Sequence, residues 1–213
     1  MRGAGEGGGS PEALVARIDA MQPGSPSPDT VPSGFPSLDR VLGGGLRRQD
    51  LAILAGDVGS GKSALALGIA IRAARAGVPT LHLSGEMSPD RVMERALAME
   101  GKAPVDDLRQ GRLDAAVRAA VGGAAHRLRD IPLLLRPLLG EDFSEVREAL
   151  DIVPPRTLLV VDSLQLTPSP RPAARLEERV ALAVRALKAL AVDRDLAVLA
   201  TAQLPRHRAA RPD

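Results

Sequence analysis

The sequence predicts an α/β fold: a mainly parallel, twisted sheet of about five strands with helices on both faces. Three observations point to it. From Asp50 onward, short β-rich apolar runs alternate with stretches of helical periodicity, as in strands joined by crossover helices. The runs are continuously apolar rather than alternating, which suits strands buried on both faces. The first run also passes through a glycine-rich turn straight into a helical stretch.

In chain order, strands are predicted over 51–55, 79–84, 131–135, 157–161 and 196–201. A helix follows each except the last: 62–76, then 89–100 and 113–128, then 144–150, then 174–192. Ahead of the sheet, residues 1–10 are glycine-rich and 22–33 are rich in Pro and Ser, and both are too poor in apolar residues to fold alone. Between them, 11–21 carries Leu14, Ile18 and Met21 at helical spacing, with Ser10 as N-cap and Pro11 at the first helical position. The expected organisation is a flexible tail over 1–33 with a short linker helix at 11–21, followed by one domain over 34–213.

Composition narrows the chemistry. The 213 residues include 28 Lys or Arg and 26 Asp or Glu, a net charge of +2, so the chain as a whole is not strongly basic. With 45% hydrophobic residues a real core can form, but two Phe and no Tyr or Trp leave it to Leu, Val, Ile and Ala and exclude aromatic stacking platforms. The absence of Cys rules out disulfides and thiolate chemistry, and His82, His126 and His207 are too scattered to form a ligand cluster. No apolar run approaches the roughly 18 residues of a membrane span, and the first residues lack the apolar stretch of a signal peptide, so no membrane partner and a cytoplasmic location are expected.

The residues Gly56, Asp57, Val58, Gly59, Ser60, Gly61, Lys62 and Ser63 fit the P-loop pattern G-x-x-x-x-G-K-[ST], between a predicted strand and a predicted helix. Glycines let the backbone wrap a phosphate chain, the exposed N–H groups and helix N-terminus bind its oxygens, Lys62 neutralises β/γ charge, and Ser63 can ligate Mg²⁺. Residues 158–162 form an apolar run ending in Asp162, a second candidate magnesium ligand, although Asp at a strand end is also a common turn cap. Glu86 follows the second strand and is a candidate to activate the water that attacks the γ-phosphate; complementing the dipole of the next helix is the competing reading. Gln203 follows the fifth strand and is a candidate γ-phosphate sensor. P-loop, Glu86, Asp162 and Gln203 all lie past the carboxyl ends of different strands, where open α/β sheets form their ligand crevice. Beyond Asp162, the stretch 163–213 holds nine basic and five acidic side chains, and Arg171, Arg175, Arg206 and Arg208 are candidates for sequence-tolerant phosphate contacts to DNA.

At these residues the chain resembles the carboxyl-terminal, RecA-like motor domain of DnaB-type replicative helicases. Residues 31–40 with Gly43, Gly44, Gly45 and Leu46 resemble the family's opening segment, and Asp50 to Ser63 its P-loop strand. Gly85 to Ser88 is similar to the segment with its catalytic glutamate, 109–113 to a stretch between helices, 161–166 to its Walker B region and 202–206 to the segment with its sensing glutamine. The resemblance implies an ATP- and Mg²⁺-dependent DNA helicase motor that translocates on single-stranded DNA in replication. It also implies a homo-oligomeric ring or partner ATPase subunits, and a linker helix that packs on a neighbour. It further implies that the family's amino-terminal collar, its last strands and its arginine finger lie outside this stretch, and hydrolysis is expected to be weak on that account. Similarity of Asp162-Ser163 and the Leu-Gly-Gly-Gly-Leu run at 42–46 to RadA and KaiC relatives keeps a recombination or regulatory ATPase open, and the missing finger keeps open a nucleotide-binding accessory or regulatory protein without efficient hydrolysis.

Overall fold

The computed structural model describes residues 10–19, 27–140, 142–173 and 175–204. In chain order the elements are α1 (Pro11–Asp19), β1 (Thr30–Val31), α2 (Pro36–Val41), β2 (Leu46–Arg47), β3 (Leu51–Gly56) and α3 (Lys62–Arg75). Then come β4 (Thr80–Ser84), α4 (Pro89–Gly101), α5 (Val105–Arg109), α6 (Ala115–Arg129) and β5 (Leu133–Pro137). The chain continues with α7 (Ser144–Asp151), β6 (Leu158–Asp162), a 3₁₀ turn (Leu164–Leu166), α8 (Leu176–Asp193) and β7 (Ala197–Gln203).

The five longer strands form one parallel sheet in the order β3-β7-β6-β4-β5. All five match predicted strands. The third run, expected at 131–135, pairs two residues later than the sequence suggests, because Pro132 has no N–H to donate and its carbonyl instead accepts from Thr80. Pro137 ends β5, an edge strand, where a missing donor costs no ladder bond.

Alternation along the strands sorts side chains between two packed layers. Leu159 and Val161 of β6, with Leu81, Leu83 and Val198, pack on Leu187 and Leu190 of α8 and Val146 and Leu150 of α7. Leu158 and Val160, with Ala197 and Leu199, pack on Ala66, Ile69 and Ala70 of α3. A third cluster joins α3, α4 and α6 through Leu67, Ile71, Val92, Ala96 and Leu128. Every residue of β6 is buried. Asp162 therefore continues the row of Leu158 and Val160 toward α3, as Thr201 continues that of Ala197 and Leu199.

The stretch 22–33, expected as linker, is tied to the domain at its end. Val31 is fully buried, β1 pairs antiparallel with β2, and Asp39 accepts from the Ser33 N–H at 2.7 Å. Gly45 makes the pairing feasible: its φ is +134°, and a Cβ there would lie 2.4 Å from the Val31 carbonyl oxygen. At the opposite edge of the sheet from the P-loop, Arg156 donates to the Pro28 carbonyl at 2.6 Å and to Asp195, which also accepts from Gln49. In α1, Leu14, Val15 and Ile18 are about half exposed. Met21, the third apolar residue of the expected helix, lies outside the described residues.

Candidate nucleotide-binding site

β3 ends at Gly56, and the chain turns through Asp57 to Gly61 into α3. Gly59 and Gly61 have φ of +79° and +88°, and no atom lies within 4 Å of a Cβ built on either, so the loop backbone is open on that side. Gly61 is the N-cap of α3 and offers no side-chain cap. The first N–H groups of a 14-residue helix are thus left to bind an anion. Lys62 Nζ lies over the loop, donating to the Asp57 carbonyl at 2.6 Å. This loop borders a cavity of about 300 Å³, together with Glu86, Arg95, Asp162, Thr201 and Gln203.

Asp162 is almost completely buried. Its Oδ1 accepts from Ser63 Oγ at 3.2 Å and from Thr201 Oγ1, while its Oδ2 is buried without a hydrogen-bond partner. A buried carboxylate oxygen left unpaired is costly, and one that faces a polar cavity beside a hydroxyl suits a hard cation with oxygen ligands. No group of three or more His, Cys, Asp or Glu able to hold a metal exists among the described residues. One carboxylate and one hydroxyl fit an ion that keeps water and phosphate ligands.

Glu86 is exposed, two residues past the end of β4, and its Oε1 accepts from Gln203 Nε2 at 2.8 Å. The cap of α4 is Ser88, whose Oγ accepts from the Arg91 N–H, and Asp90 is the acidic residue of its first turn. Glu86 lies two residues before that cap, and its carboxylate is bonded to Gln203. Gln203, the last residue of β7, is level with Gly56 of the neighbouring β3.

Three lining groups were not singled out by the sequence. Arg95 reaches the cavity from α4, where nothing in the helical pattern sets it apart from Arg91, the other arginine of that helix. Thr201 carried a signal, a polar residue two before Gln203 in an apolar strand and hence on the same face. Ser163, also at the cavity, has its hydroxyl buried without a partner. Of the four arginines considered for DNA, Arg171 and Arg175 are exposed in the stretch after the 3₁₀ turn, and Arg206 and Arg208 lie outside the described residues.

Comparison with known proteins bears on the same span. The family model for the DnaB-like helicase C terminal domain matches residues 30–213. The chain belongs to that family. The replicative DNA helicase DnaB of Leifsonia xyli subsp. xyli is 30% identical over 209 residues, 95% of this chain and 46% of that protein. The DNA repair protein RadA of Mycolicibacterium smegmatis is 41% identical over 96 residues, 45% of this chain and 20% of that protein. Among solved structures, one of a DnaB-like replicative helicase and its interactions with primase superposes with a TM-score of 0.82 at 23% identity, covering 95% of this chain and 50% of that one. The chain spans about half or less of the length of these relatives, and its fold is that of a RecA-like ATPase domain of the DnaB-like family. Among the described residues, no helix is long and apolar enough to cross a membrane.

Proposed function

We propose that this chain is the motor part of a replicative-type DNA helicase, binding ATP with Mg²⁺, hydrolysing it, and coupling hydrolysis to movement along single-stranded DNA within a ring or with partner ATPase subunits. The observation that supports this most is the convergence of the P-loop, Asp162, Glu86 and Gln203 on one cavity at the carboxyl edge of the sheet. In this reading residues from about 30 onward are the motor, and those before it are tail and linker helix.

The loop amides from Gly56 to Ser63 and the N-terminus of α3 bind the phosphates, and Lys62 neutralises charge on the terminal ones. Ser63 and Asp162 hold Mg²⁺, which when bound offsets the negative charge of the β- and γ-phosphates. Glu86 orients a water and takes its proton as the water attacks. Gln203 donates to the γ-phosphate and, through its hydrogen bond to Glu86, keeps sensor and base in register. Arg95 adds a second cation to the cavity wall. Arg171 and Arg175 contact DNA phosphates, a role that asks nothing of aromatic stacking.

Steady-state ATP hydrolysis with and without single-stranded DNA tests the reading. Hydrolysis that depends on Mg²⁺, rises with DNA and falls about 100-fold or more in Lys62→Ala is expected. Nucleotide binding with no detectable turnover under either condition would replace the motor by an accessory nucleotide-binding protein. The likeness to RadA supports a second reading, a DNA repair ATPase.

A further inference from the structure

Strand β6 ends at Asp162, but β7 runs on to Gln203, so the last residues of β7 have no strand neighbour on the β6 side. Their peptide groups still need partners. On the β3 side the ladder continues, with the Leu204 N–H donating to the Gly56 carbonyl at 3.1 Å. On the β6 side one side chain takes over. Gln165 Nε2 donates to the Gln203 carbonyl at 2.9 Å, and Gln165 Oε1 accepts from the Gln203 N–H at 3.3 Å. A carboxamide has the same donor and acceptor as a peptide group, so Gln165 stands in for the strand residue that β6 lacks.

The turn that carries Gln165 is itself held from several directions. Thr167 Oγ1 donates to the Ser163 carbonyl at 3.0 Å, and Arg179 of α8 donates to the Gln165 carbonyl at 3.4 Å. Leu166 packs so closely on Gly85 that a Cβ there would lie 2.7 Å from the Leu166 Cβ. Gly85 immediately precedes Glu86, and its N–H donates to the Asp162 carbonyl at 2.7 Å. The 3₁₀ turn thus touches the chain on both sides of the Glu86–Gln203 hydrogen bond.

We propose that Gln165 is a positioning residue: its carboxamide clamps the backbone of Gln203 and so holds the Gln203 side chain against Glu86 and the γ-phosphate position. This rests on the proposed roles of Gln203 and Glu86, but the clamp can be measured apart from them. Gln165→Leu removes both bonds at similar size, and Gln165→Glu keeps the acceptor while losing the donor. Because Gln165 is only partly buried, both variants are expected to fold.

Hydrogen exchange at the Gln203 amide reads the clamp directly, and about tenfold faster exchange is expected in Gln165→Leu, with a smaller rise in Gln165→Glu. The ratio of Mg²⁺-dependent affinities for fluorescent AMP-PNP and fluorescent ADP reads the consequence. Gln165→Leu should lower this ratio as far as Gln203→Ala does, leave ADP affinity at the wild-type value, and add nothing in a Gln203→Ala background. Unchanged exchange at Gln203 overturns the proposal. So do additive effects of the two substitutions, or a loss of ADP affinity and thermal stability in place of the ratio, which would mark Gln165 as merely structural. If Gln203→Ala leaves the ratio unchanged, the sensing role of Gln203 fails, and exchange at Gln203 alone then decides whether the clamp exists.

Discussion

Glu86 presents its carboxylate at the exposed mouth of the cavity, restrained by a single hydrogen bond from Gln203. Glu86→Gln keeps the size and the bonding capacity but removes the base. Turnover is expected to fall about 10²- to 10⁴-fold, with ATP affinity little changed, as checked by single-turnover hydrolysis beside equilibrium binding. His82 illustrates a different residue-scale constraint. It lies in β4 with both ring nitrogens buried and unpartnered, and burial pulls its pKa below the usual 6.5 against the opposing charge of Asp162. The unfolded chain therefore takes up a proton that the folded chain resists. Stability from this site is complete above about pH 6.5 and is lost as the pH falls through the lower folded pKa. His82→Leu should flatten the acid side of the stability profile, measured by urea unfolding from pH 7.5 downward. A profile as steep as wild type would show that another group carries the dependence.

At the scale of elements, the sequence was most legible where structure follows from local periodicity. The continuous apolar runs became β3 to β7, and the glycine-rich turn became the N-terminal loop of α3. Short elements were not legible: α2 and α5 are six and five residues long, too short to show a helical period. The β1–β2 pair was hidden because two-residue strands carry no alternation, and because room for it depends on Gly45, beside β2 but 14 residues along the chain from Val31. The exposed stretch after the 3₁₀ turn carries Arg171 and Arg175 and is the element proposed to meet DNA. Replacing both by Ala should weaken single-stranded DNA binding and reduce the salt slope by about 1.4, leaving ATP affinity intact. Fluorescence titrations with oligo-dT at several salt concentrations measure this, and an unchanged slope would remove these arginines from the interface.

At the scale of the molecule, a 22.2 kDa chain proposed to work in a ring should show a mass several times that value in light scattering with ATP and Mg²⁺. A monomer under those conditions would rule out self-assembly of this chain. The half-exposed apolar side chains of α1 are a further reason to measure it. What the sequence determined by itself was the α/β layering, the P-loop, and the expectation that four groups share the carboxyl edge of a parallel sheet. These follow from local periodicity, contiguous motif spacing and the parallel direction of the strands. Tertiary structure decided which groups meet. Strand order sets β6 and β7 between β3 and β4, which brings Asp162 to Ser63 across 99 residues and Gln203 to Glu86 across 117. Arg95 and Gln165 gain their positions the same way, from helix packing and from the unequal ends of β6 and β7. Such contacts depend on non-local pairing and on where neighbouring strands stop, neither of which any single stretch of sequence encodes.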